Sequence, residues 1–183
     1  RVRRQRQMCI RDRPRAIAAA LVGGFLAVSG AIMQGITRNP IADPSVMGIT
    51  QGATFTIAIA FVLQVVNPNL AIGSVGLMIF AFLGASISGI LVYFISSRTA
   101  RKVNPVKLAL AGTAIGTLLI SLAVGIAMYF NLSQQLSFWI SGGLTGAKWD
   151  GVYLLAVVGI IGMVIAIIMA PKTVSYTHLT LPT

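Results

Sequence analysis

The chain has 183 residues, 56% of them hydrophobic and only 9% charged, with a mean hydropathy of +0.89 and a formal net charge of +11. A soluble domain carries about 25% charged residues, so this composition excludes an ordinary water-soluble globule and points to the bilayer as solvent. The positive charge would suggest a nucleic-acid binder, but six of the 14 basic residues crowd into the first 13 positions.

That first segment has its own reading. Residues 3–12 read as one translated frame of a transposase adapter used to prepare sequencing libraries, and residues 174–183 read as the complementary strand of the same adapter. The expectation is that 1–13 and 174–183 are adapter-derived, non-native segments, and that 14–173 is a piece of a longer protein continuing past both ends. A basic arm for nucleic acid or lipid is the competing reading of 1–13, and the adapter match displaces it. Without these ends the chain keeps 8 basic and 2 acidic residues, a net charge of +6. It also loses Cys9 and His178, its only cysteine and histidine, so no metal or redox site can be built on them.

Five apolar spans follow in order, at about 16–36, 47–66, 72–97, 106–130 and 151–170, each near the roughly 20 residues that a bilayer crossing needs. Asn39-Pro40, Asn67-Pro68-Asn69, Asn104-Pro105 and Pro171 punctuate them, since proline costs a helix interior a backbone bond. The expected fold class is all-α, a polytopic transmembrane helical bundle. Lys and Arg counts set its orientation. Arg38, Arg98, Arg101, Lys102, Lys107 and Lys172 lie on one side, against Arg15 and Lys148 on the other, which places the first group in the cytoplasm. Small residues recur every fourth position, as in Gly23–Ala27–Ala31–Gly35, Ala16–Ala20–Gly24 and Ala81–Ala85–Gly89, and Gly112 and Gly116 form a GxxxG pair. Such stripes let membrane helices pack closely, and ordinary bundle packing is enough to explain any one of them.

Two segments between spans carry more than packing. Residues 34–44 hold Arg38, Asn39, Pro40, Asp43 and Pro44, a combination that fixes a rigid turn at the cytoplasmic surface, with an Arg38–Asp43 pair within reach. A well-made helix reversal is the plain alternative. Residues 131–150 are too polar to span and too long for a simple turn. There Trp139 and Trp149 suit an interfacial belt, and Gly142 and Gly143 sit in a flexible run without the Lys-Ser/Thr ending of a phosphate-binding loop. Residues 14–173 contain no Glu, His or Cys and only two Asp in separate loops, so no catalytic site, cofactor site or metal cluster is expected. No ionisable residue sits mid-span, which weighs against an ion-coupled secondary transporter. A non-transport membrane scaffold is a third, weaker reading.

The residues also resemble a family. Ser29-Gly30-Ala31-Ile32-Met33-Gln34, then Arg38 through Pro44, then Gly48-Ile49 and Gly52-Ala53, resemble the FecCD-type permeases, the membrane subunits of importers for ferric siderophores, haem and vitamin B12. Leu108–Gly116 and Phe138–Gly143 followed by Trp149 are similar to two further stretches of that family. The resemblance implies a permease of ten helices, of which these five would be the second to sixth. It implies a second permease copy, two cytoplasmic ATPase subunits that hydrolyse ATP, and an extracytoplasmic substrate-binding protein, all in a bacterial or archaeal inner or plasma membrane in contact with lipid. It also implies that Arg15 meets an acidic residue of the binding protein, and that the helix carrying Gly112 and Gly116 lines the path at the dimer interface. The family's main coupling helix follows the sixth, so the fragment is expected not to transport alone.

Overall fold

The computed structural model of the chain describes the backbone of residues 2–37, 39–40, 42–97, 105–142 and 147–178, and side chains between Arg13 and Ala170. Among the described residues all regular structure is helical. It comprises α1 (Val2–Thr37), a four-residue 3-10 turn (Pro44–Met47), α2 (Ile49–Val66), α3 (Ser74–Ser97), α4 (Pro105–Tyr129), α5 (Ser133–Ile140) and α6 (Trp149–His178). Five stretches are long and apolar enough to cross a membrane: Arg13–Thr37, Ile49–Val66, Ser74–Ser97, Pro105–Tyr129 and Trp149–Ala170. The all-α, five-span expectation is met, with boundaries within three residues of those read from the sequence.

The differences have local causes. The second span starts at Ile49 rather than at Met47 because Gly48 stands at φ 71°, in the left-handed region, and closes the 3-10 turn first. The fourth starts on Pro105, whose fixed φ and missing N–H suit a first helical position. It ends in a Schellman motif: the Leu132 N–H donates to Ala127 O at 2.7 Å and the Asn131 N–H to Met128 O at 3.2 Å. Asn131 takes the left-handed position at φ 58° that this motif requires. Leu132 and Ala127 then bury together with Ala58, Ala123 and Leu136. The sequence reading left 131–150 without regular structure; α5 occupies Ser133–Ile140, seeded by that turn, with Leu136 facing the core. α1 runs through Pro14, which lies inside the helix.

The chain divides into two compact units, residues 1–42 with 144–183, and residues 43–143. In the first, α1 packs on α6, and the Phe25 ring lies directly against the Cα of Gly159. Of the stripe Gly23–Ala27–Ala31–Gly35, Gly23 has open space beside it, Ala27 and Ala31 are exposed, and Gly35 is half-buried. Gly24 also has open space beside it, Ala16 and Ala20 are exposed, and Phe25 is the α1 side chain laid against α6, at Gly159.

In the second unit α2 sits between α3 and α4. The buried line of α3 is Gly84, Ser88, Val92 and Ser96, spaced every four residues. Ala81, Ala85 and Gly89, the stripe expected to pack, border it half-buried. α2 and α4 run in parallel. Ala58 buries with Ala123 in one cluster, and Gln51 lies on Gly116. A short loop after Val66 returns the chain to α3, tied by the Gln64 amide donating to Ile72 O at 2.8 Å.

Candidate functional site

Two features that sequence reading treats separately come together in the second unit: the end of the 38–44 loop and the glycine pair of α4. Asp43 caps the 3-10 turn. Its side chain accepts from the Ser45 N–H at 2.7 Å, while its own backbone stays extended ahead of Pro44. The Ser45 hydroxyl, then the Ser45 N–H, hold the Asp43 carboxyl below the ordinary aspartate value of 3.8, against a small upward push from burial. The turn runs Pro44–Met47 and presses its backbone onto α4. A Cβ at Gly112 would run into the Val46 carbonyl. Gly48 follows with its Cα beside Gly116, and a Cβ on it would stand 3.1 Å from Gly112 O. Gly112 and Gly116 are therefore the bare ground on which the turn is seated.

α3 holds the other side. The Ser88 hydroxyl donates to Gly48 O at 2.8 Å, across 40 positions of sequence. One turn further along α2, Gly52 leaves no room for a Cβ against Ser88 and the Gly84 carbonyl, and a Cβ at Gly84 would meet Thr56. Thr56 hydroxyl donates to Phe80 O at 2.8 Å. Close backbone approach over small residues, with hydroxyls bridging helices, is how membrane helices associate when the apolar solvent gives no hydrophobic drive.

Depth separates this site from a surface turn. Ser88 lies nine residues before the end of α3 and Gly112 seven into α4. At 1.5 Å per residue these are about 13 and 10 Å inward. The second half of the loop packs its backbone on α4, and Gly48 meets Ser88 of α3, while Asp43 and Ser45 stay exposed. Irregular backbone survives at such depth only where protein or an aqueous cavity supplies its partners. Here Ser88 and the cap of Asp43 do so.

The remaining expected site residues fall elsewhere. Asn39 and Pro40 are exposed. Arg38 lies outside the described residues, as do Gly143, Arg98, Arg101 and Lys102, so the Arg38–Asp43 pair and most of the charge cluster are not described. Arg15 is half-buried near the start of the first span. Trp139 is half-buried on α5, and Gly142 follows that helix at φ 60°. Trp149 is exposed at the start of α6 and stacks on Tyr153, with centroids 5.8 Å apart and ring planes 30° from parallel. Sequence reasoning missed Ser88, Gly52, Gly84 and Thr56 as a set. Their signal was present in the Gly84–Ser88–Val92–Ser96 spacing, one register away from the stripe chosen. Gln51 was seen only as a polar helix start; its amide oxygen is buried beside Gly116.

Five apolar helices and close glycine seams define a polytopic helical membrane protein. The FecCD transport family model matches residues 5–177, and the chain belongs to that family. It is 46% identical over 157 residues to the iron(3+)-hydroxamate import system permease of Bacillus subtilis (strain 168), covering 86% of this chain and 40% of that protein. It is 40% identical over 140 residues to the hemin transport system permease of Yersinia pestis, covering 75% and 41%. Against the vitamin B12 import system permease of Klebsiella pneumoniae it is 38% identical over 147 residues, covering 78% and 41%. A solved inward-facing transporter of the metal-chelate ABC type matches with a TM-score of 0.73 at 23% identity, over 87% of this chain and 49% of that one, which shows the shared fold. The chain spans about two fifths of the length of the curated relatives it matches.

Proposed function

We propose that this chain is part of the transmembrane permease subunit of an ATP-driven importer, set in a bacterial cytoplasmic membrane and carrying a ferric chelate or a related metal complex such as haem or cobalamin. The observation that carries the reading is the family match over 5–177. Relatives named for hydroxamate, hemin and vitamin B12 import support it. The permease is not itself an enzyme. ATP hydrolysis belongs to cytoplasmic ATPase subunits, a second permease copy completes the path, and an extracytoplasmic binding protein delivers the substrate. Alternating access fits a body of this kind, in which rigid helices meet over bare glycine seams. Arg15 docks the binding protein, and α4, bearing Gly112 and Gly116, lines the path. The side of Arg38 and Arg98–Lys107 faces the cytoplasm.

The test is direct. The source gene is sequenced through both ends and expressed with the neighbouring ATPase gene. Co-purification of an ATPase bearing a Walker A motif, and ATP-dependent uptake of a ferric hydroxamate into proteoliposomes, are the expected results. Uptake driven by a proton or sodium gradient without ATP overturns the reading.

A further inference from the structure

We draw no further inference here: the strongest candidate, the face of α4 on which Thr113, Thr117 and Ser121 stand exposed at four-residue spacing, carries nothing, because each hydroxyl is already bonded to a carbonyl of its own helix and nothing in the structure shows what covers that face.

Discussion

α2 and α6 make opposite use of the membrane. α6 provides the most apolar of the five spans, yet only 6% of it is buried within the protein; α2 provides the least apolar, and 28% of it is buried. In a soluble protein the order would be reversed. Here the solvent is itself apolar, so Ile160, Ile161, Ile165 and Ile168 of α6 can stand exposed. The protein interior collects what lipid cannot serve: Gly52, Thr54, Thr56, Gly48 and the hydroxyl of Ser88. Among the described residues the interior holds apolar side chains such as Ile57, Val92 and Leu136 together with the small and hydroxyl residues that let α2, α3 and α4 approach closely.

That contrast can be broken at its glycines first. Gly112→Val drives a side chain into the Val46 carbonyl and is expected to cost about 3 kcal/mol of stability, the upper range for overpacking. Gly162→Val on α6, with open space around it, is expected to stay within about 0.5 kcal/mol. Steric-trap unfolding in bicelles measures both, and equal costs would dissolve the comparison. Gly48→Ala comes next, at about 2 kcal/mol, since it combines left-handed backbone with a 3.1 Å approach to Gly112 O. Ser88→Ala removes the bond to Gly48 O and is expected to cost about 1 kcal/mol, whereas Ser86→Ala, whose hydroxyl returns to Phe82 O of its own helix, costs next to nothing. Asn131→Gly keeps the left-handed turn and leaves thermal stability within about 0.5 kcal/mol, while Asn131→Val loses about 1 kcal/mol.

The smallest effect is a pH dependence. Asp43 has a lowered folded-state pKa, so its contribution is complete above the ordinary aspartate value of 3.8 and is lost as pH falls through the lowered folded value. Difference melting of the parent against Asp43→Asn is expected to show a gap at neutral pH that closes only in that acid range. Because Asp43 is exposed, the gap is slight. A gap that closes near pH 6 would mean that another group controls the turn.

The spans were legible because apolar length is a property of consecutive residues, and so were the punctuating prolines. The family was legible from Arg38 to Ala53 and from Leu108 to Gly116. What could not be read was which glycines meet which partners. A stripe on one helix says that a close approach is open to some segment; it does not name the approaching segment. Gly23 and Gly112 look alike in sequence, and only one is occupied. The Schellman turn at Asn131 was hidden for a related reason. Asparagine adopts the left-handed state only when bonds such as those of Leu132 and Asn131 hold it there, and α5 depends on that turn.

The seating of the 3-10 turn also orders events during synthesis. The carbonyl of Gly48 needs Ser88, and the backbone of Val46 needs Gly112, more than sixty residues further along the chain than Gly48. At about 5–20 residues per second, the ribosome delivers Gly112 roughly 3–13 seconds after Gly48. Throughout that interval the Pro44–Met47 turn lacks the glycine on which its backbone rests, so the packing of α2 against its neighbours is completed only after α4 has been made.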